Sequence, residues 1–308
     1  MPYDYLTELK DCALCPRECH ADRLKSNAGY CMTGHSIDIS SICVHKGEEP
    51  VISGEKGICN VFFSHCNIQC IYCQNHQISS NQKTDPGRKM TLEEVVSDIC
   101  AILDEGINIV GFVSPSHFIP QVKAIINALH EQSRKPVIVY NTNSYDKVET
   151  LNSLENLVDV YLPDFKYADN KLALDYSDAP NYPEIALKAI KDMVRQKGTS
   201  LRLNNAGQVE SGVIIRHLIL PGHVENSKAV LRLIAEEISP LMHISLMSQY
   251  YPTPSTTDHP LIGRSVSEKE YESVIKEMSA LGLNRGWLQE YDSHSHYQPD
   301  FSKDQPFS

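Results

Sequence analysis

Between Phe62 and His76 the chain reads FFSHCNIQCIYCQNH, with Cys66, Cys70 and Cys73 in a C-x3-C-x2-C spacing. Thiolates select zinc or iron–sulfur clusters. A structural zinc takes four ligands, and a four-iron cluster normally takes four cysteines. Three thiolates on such a cluster leave one iron open, as in a catalytic metal that keeps a coordination position free. The other reading of these cysteines is a structural zinc completed by a remote ligand such as Cys59 or His65. Cys59, however, sits inside the apolar run ICNVFF. With Cys43 and Cys100 it is expected to be a small buried hydrophobe. Cys12, Cys15, Cys19 and Cys31 form a separate C-x2-C-x3-C-x11-C set. Four thiolates suit a closed site, either zinc or an auxiliary iron–sulfur cluster, and a metal-free core module is the remaining reading. No cysteine follows Cys100, so the metal chemistry belongs to the N-terminal third.

The rest of the chain must position these thiols. ICNVFF reads as a strand ending just before Cys66. TLEEVVSDICAILDEG reads as a helix, with a Thr91–Glu94 capping box, one apolar face (Leu92, Val95, Val96, Ile99, Leu103) and a stop at Gly106. The alternation then repeats. Strands are expected at INIVGFV, PVIVYN, LVDVYLP, GVIIRHLIL and HISLMS. Helices are expected at FIPQVKAIINALHEQ, YDKVETLNSLEN, roughly 183–196, NSKAVLRLIAEEI and SEKEYESVIKEMSALG. Near-continuous apolar strands alternating with helices predict a parallel sheet covered by helices. No Gly-x-Gly-x-x-Gly follows the first strand, which disfavours a dinucleotide-binding sheet. The expected fold is therefore α/β, a partial parallel barrel of about six βα units. A Cys-rich module (1–57) precedes the barrel (58–292), and a polar tail (293–308) follows it.

In such barrels the site lies at the C-terminal ends of the strands. Polar residues gather there: Cys66, then Ser114, Ser116 and His117, then Asn141, Thr142 and Asn143, then Asp164 and Lys166, then Gln249. The two-residue period places Asn141 with Asn143, and Asp164 with Lys166, on one face. Arg216 lies in an apolar strand and requires a buried acidic or ligand partner. GEEP (47–50) reads as an acidic turn, with Glu48 or Glu49 as a site residue the lesser reading. The Pro- and Thr-rich loop 248–265 leaves the site end of the barrel and is placed to cover a substrate. His294 and His296, in the tail, are expected to be solvated.

The formal charge of −11, with no basic stripe, argues against nucleic acid as a partner. No apolar run reaches a membrane span, and the N-terminus lacks the features of a signal peptide, so the expected location is cytoplasmic, away from membranes.

The three-cysteine motif, with Tyr72 before its last cysteine and a βα pattern around it, resembles the signature of radical S-adenosylmethionine (radical SAM) enzymes. CIYCQN, NTNSYD, LPDFKY, IIRHLILPG and LMSQYYP together resemble the pyruvate formate-lyase activating enzyme family. CALCPRECHADRLKSNAGYC and HKGEEPVISG are similar to its PflX-type branch. The resemblance implies a 4Fe–4S cluster on Cys66, Cys70 and Cys73, whose open iron chelates S-adenosylmethionine. Reductive cleavage of that cofactor yields a 5′-deoxyadenosyl radical that abstracts hydrogen from a substrate. It implies cofactor contacts at Tyr72, whose backbone meets adenine, and at Asn75. Ser114, Ser116 and His117 stand where the family carries a Gly-Gly-Glu-like motif for the cofactor's amino group. Asn141 replaces an Asp which, with Thr142 and Asp164, helps form a monovalent-cation site. Asn143, Lys166 and Arg216 fall on the cofactor side, and Gln249 replaces a cofactor-contacting His. The implied partners are an electron donor such as flavodoxin or ferredoxin and a glycyl-radical enzyme as the protein activated. A small-molecule or peptide substrate, or a non-catalytic iron–sulfur or zinc protein, are the rival readings.

Overall fold

A computed structural model describes residues 6–25, 29–82, 87–293 and 298–307; His294 and His296 lie outside them. Strands β1 (Ile37–His45), β2 (Ile58–Phe63), β3 (Arg88–Met90), β4 (Ile109–Val113), β5 (Val137–Thr142), β6 (Val160–Pro163), β7 (Arg202–Leu203), β8 (Val209–Leu218), β9 (His243–Met247) and β10 (Arg285–Leu288) form one sheet. Its order is β10-β9-β8-β6-β5-β4-β2-β1-β3, with β7 paired to β8 alone. From β2 to β10 every neighbour along that path is parallel. This is the expected partial barrel of six βα strands, extended by a short seventh, β10.

Parallel strands are buried on both faces, so they carry apolar residues at nearly every position. β2 and β4 are buried throughout. One face packs on the helices: Cys59, Val61, Phe63, Val110, Phe112, Ile138 and Tyr140 join the core under Leu92–Asp104 and Ile119–Glu131. The Thr91–Glu94 capping box is formed in both directions, and Gly106 follows that helix with φ +85°, a left-handed position that glycine adopts at no steric cost. The other face closes on a second apolar cluster, including Ile58, Ile109, Val139, Val160 and Ile214. Further along four of these strands the same face turns polar. Asn60, Asn141, Asp164 and Arg216 follow Ile58, Val139, Leu162 and Ile214. The barrel therefore has an apolar floor beneath a polar layer.

Among the elements not expected from the sequence, three are the most substantial. β1 pairs antiparallel with β2 and brings residues 37–45 of the Cys-rich segment into the sheet. Its alternation of Ile37, Ile39, Cys43 and His45 was the available signal. Asn170–Ser177 is helical, opened by Asp169, whose side chain accepts from Leu172 N–H. β10 is the third. The helix expected over YDKVETLNSLEN is confined to Val148–Asn152. The one expected over NSKAVLRLIAEEI ends in a π-helical turn, Ile234–Ile238. Among the described residues no helix is long and apolar enough to cross a membrane.

Gly111 permits one close approach on the inner face. A Cβ there would lie 2.2 Å from Asn60 Oδ1 and 2.9 Å from Ile58 Cδ1. Gly111→Ala is expected to lower unfolding stability by about 1–3 kcal/mol through overpacking, read by urea or thermal unfolding.

Candidate functional site

The polar layer borders a cavity of about 820 Å3. One wall is the cysteine loop that follows β2. His65 turns the chain with φ +66°. The loop is then clamped by backbone and side chain: Gln69 N–H donates to Ser177 O (2.9 Å) and Ile71 N–H to Tyr176 O (2.9 Å). Thr253 Oγ1, from the 248–265 loop, donates to Ile71 O (2.8 Å), so that loop buttresses the cysteines. Cys66, Cys70 and Cys73 all border the cavity, and each sulfur receives a hydrogen bond. Asn143 Nδ2 donates to Cys66 Sγ (3.4 Å), Ser177 Oγ to Cys70 Sγ (3.0 Å) and Ser79 Oγ to Cys73 Sγ (3.2 Å). The hydroxyl of Tyr167 lies 2.6 Å from both Ser177 Oγ and the Tyr72 hydroxyl, extending the chain behind Cys70.

Burial pushes the Cys66 thiol up to about 12 and the Cys70 thiol up to about 11, and it raises Cys73 as well. Buried sulfurs of this kind ionise only against a bound cation. Donors aimed at sulfur are what thiolates on a metal need. Among the described residues no three His, Cys, Asp or Glu side chains are arranged to hold a single metal ion. A cluster spreads its thiolates over several irons, and three cysteines in one short loop fit that demand.

A buried charge network borders the same cavity. Arg216, on β8, donates from Nε to Asp164 Oδ1 (2.8 Å), from one terminal nitrogen to Asn141 Oδ1 (2.7 Å) and from the other to Glu48 Oε2 (3.3 Å). Lys166 Nζ donates to the second Asp164 oxygen (2.6 Å). Asn60 Nδ2 holds the other Glu48 oxygen (2.9 Å). The acidic partner that a buried guanidinium requires is thus Asp164, seconded by Glu48. Burial works to raise the Asp164 carboxyl, but Arg216 and Lys166 outweigh it and hold the group below its ordinary value.

Tyr72, Asn75, Ser114, Asn141, Asn143, Asp164, Lys166, Arg216 and Gln249 border the same cavity. Tyr72 does so from a side chain that is itself buried. Ser114 holds a left-handed φ of +50°, which its N–H bond to Asn141 O (2.7 Å) supports. Gln249 is fixed between Gln74 Oε1 (2.8 Å) and Gln289 Nε2 (2.6 Å). Three candidates are not brought to the cavity. Strand alternation points Thr142 to the face opposite Asn141 and Asn143, where its hydroxyl donates to Asp146 Oδ2 (2.5 Å). Ser116 Oγ lies beside it, 3.3 Å from Thr142 Oγ1. His117 is buried under the N-terminal segment, its Nε2 2.9 Å from Ser64 O. Sequence reasoning did not select His45, Ser79, Gln74, Ser177, Ser245 or Gln289. It ranked Glu48 and Glu49 low, although both border the cavity.

The Radical SAM superfamily profile matches residues 60–234, more than half of the chain. The chain belongs to the radical SAM superfamily. Members of this superfamily catalyse radical reactions, and membership implies a 4Fe–4S cluster, S-adenosylmethionine and an electron donor. The chain is 27% identical over 274 residues to the "Uncharacterized protein MJ0674" of Methanocaldococcus jannaschii, covering 87% of this chain and 74% of that protein. Solved structures share the fold. One is the FeFe-hydrogenase maturase HydG of Carboxydothermus hydrogenoformans, with TM-score 0.52 and 14% identity, covering 75% of this chain and 52% of that one. Another is methylornithine synthase (PylB), with TM-score 0.50 and 16% identity, covering 75% and 63%. The chain thus spans about half the length of that HydG.

Replacing Arg216 by Met leaves Glu48 and Asp164 buried and short of a cation, so a stability loss of about 3–5 kcal/mol is expected on urea unfolding. The pH dependence follows from Asp164. Its lowered carboxyl contributes stability that is full above about pH 4 and is lost as pH falls through the lower folded value. In the variant this acid-side slope shrinks, which unfolding from pH 6 down to pH 2 measures.

Proposed function

We propose that this protein is a radical SAM enzyme that reductively cleaves S-adenosylmethionine and removes a hydrogen atom from a substrate in the barrel cavity. The observation that carries the reading is the set of three cysteine sulfurs, each met by a side-chain donor, bordering one cavity with Arg216, Asp164 and Lys166. In this reading Cys66, Cys70 and Cys73 hold the cluster. Tyr72, Asn75, Ser114, Asn141, Asn143, Asp164, Lys166, Arg216 and Gln249 bind and orient the cofactor. Ser116, Thr142 and His117 stand behind them as positioning residues.

When bound, the cluster and S-adenosylmethionine supply one-electron reduction and hydrogen-atom abstraction. The chain's part is to bind, to orient and to exclude water. Both Asp164 oxygens are engaged, one by Lys166 and one by Arg216. A monovalent cation would compete with Lys166 there, so we assign that positive charge to the ammonium group. The donors on the three sulfurs stabilise added negative charge on a cluster and so favour its reduced form. Ten cysteines without a disulfide suit a reducing compartment, and we place the protein in the cytoplasm.

Two substrate readings stand. The likeness of the motifs to activating enzymes supports a glycyl-radical enzyme as target. The cavity's lining supports a small molecule or short peptide. The segment from His45 to Gly54 and the tail residues Pro299 and Phe307 border it. Phe307 packs on His45 with ring centroids 4.0 Å apart, so the tail covers this end. Glu49 there has a buried carboxyl oxygen without a hydrogen-bond partner among the described residues. We favour the small substrate.

After anaerobic reconstitution and reduction, the protein is expected to form 5′-deoxyadenosine from S-adenosylmethionine, and Cys70→Ala to lower this to background. An intact cluster that forms none would defeat the reading. Ser177→Ala removes the donor on Cys70 while leaving the ligand. It is expected to shift the cluster potential to more negative values in a titration followed by electron paramagnetic resonance. A glycyl-radical signal on addition of a candidate partner protein would instead favour the activase.

A further inference from the structure

The N-terminal cysteines pose a separate charge problem. Cys12, Cys15, Cys19 and Cys31 border one small cavity, of about 10 Å3, together with Arg23, Asn67 and His117. Three of the four are buried. Tight turns bring them together: Glu18 N–H closes on Cys15 O (3.1 Å), Cys12 N–H on Ala21 O (3.1 Å) and Met32 N–H on Gly29 O (3.0 Å). A Cβ on Gly29 would lie 2.8 Å from Cys19 Cβ and 2.9 Å from its sulfur, so the cradle has no room for a larger residue.

Arg23 is 1% exposed. Its guanidinium donates only to the backbone oxygens of Thr33 (3.1 Å), Gly34 (3.0 Å) and His117 (2.7 Å), and approaches Cys12 Sγ at 3.9 Å. Among the described residues no carboxylate pairs with it, and Nη2 is buried without a partner. The Nδ1 of His117 is buried without a partner as well. A buried guanidinium without an anion is strongly destabilising. Four neutral thiols do not supply one. Four thiolates on an iron–sulfur cluster do, because such a centre carries net negative charge.

We infer that Cys12, Cys15, Cys19 and Cys31 ligate a second metal centre, a four-cysteine iron–sulfur centre that spreads the thiolates over several irons rather than gathering them on one ion, with Arg23 as its buried counter-cation. The centre is independent of the cluster on Cys66, Cys70 and Cys73. Its role is to hold the segments that carry these cysteines against Asn67 and His117. Asn67 is next to Cys66 in sequence, and its Oδ1 accepts from Asn143 Nδ2 (2.8 Å), so the second centre stiffens the wall that holds the first.

The test removes the first centre and looks for the other. The full chain carrying C66A, C70A and C73A, purified anaerobically from cells supplied with iron and zinc, is assayed for iron, zinc and acid-labile sulfide. The expected result is stoichiometric iron with acid-labile sulfide, and zinc without sulfide would overturn the inference. X-ray absorption should show a sulfur-only first shell. Adding Cys12→Ser and Cys15→Ser should lower the metal to background. Arg23→Leu keeps all four ligands and should weaken retention against a chelator by about 10- to 100-fold. A folded triple variant without metal would overturn the inference, as would metal that survives loss of Cys12 and Cys15. If a variant fails to fold, the unsubstituted chain decides: iron in excess of one four-iron cluster supports the second centre, and none in excess overturns it.

Discussion

A guanidinium buried among strand ends governs this molecule. Arg216 is surrounded by apolar β8, and its charge is tolerable only because Asp164, Asn141 and Glu48 meet it from three other segments. Two of these lie at the ends of β5 and β6, and the third comes from the turn after β1. Removing water from such a group is expensive, and only full satisfaction of its donors offsets that cost. The requirement reaches outward. Glu48 needs Asn60, Asn60 needs the space left by Gly111, and Asp164 needs Lys166. The apolar floor beneath lets the polar layer keep its geometry, because interior packing resists small displacements.

The cysteine loop answers to a different demand. Burial at the cavity edge disfavours free thiolates, and side-chain donors meet the sulfurs there. Those donors come from Ser79 in the following turn, Asn143 after β5 and Ser177 in a distant helix. The loop 248–265, through Thr253, holds the same backbone from outside. Geometry that would be loose in an isolated C-x3-C-x2-C peptide is therefore set by four separate parts of the fold.

Much of the scaffold was legible in the sequence because strands buried on both faces leave an unmistakable apolar run, as in ICNVFF, and because the Thr91–Glu94 box marks a helix start locally. β1 escaped notice because its alternation is diluted by serines and lies in a Cys-rich segment. The helix expected after Tyr145 is short because Asp146 is drawn inward by Tyr140 and Thr142 (3.0 and 2.5 Å), leaving Lys147 as its first boundary. Thr142 was misplaced for a reason the period of two already contained: a residue between Asn141 and Asn143 faces the other way. Ser177 was out of reach. A serine that donates to a sulfur 107 positions away carries no local signature, and only tertiary packing reveals it.

The walls of the site are dispersed along the chain. Cys66 to Cys73 precede Arg216 by well over a hundred residues and Gln289 by more than two hundred. During synthesis the thiols emerge first and stand unprotected until β8, β9 and β10 arrive. Contacts of this separation are slow to form, since long loops must close before any of them is rewarded. The interval leaves the cysteine loop open to whatever delivers iron and sulfide, and equally open to oxidation. A chain that ended before Arg216 would present these ligands without the barrel that encloses them.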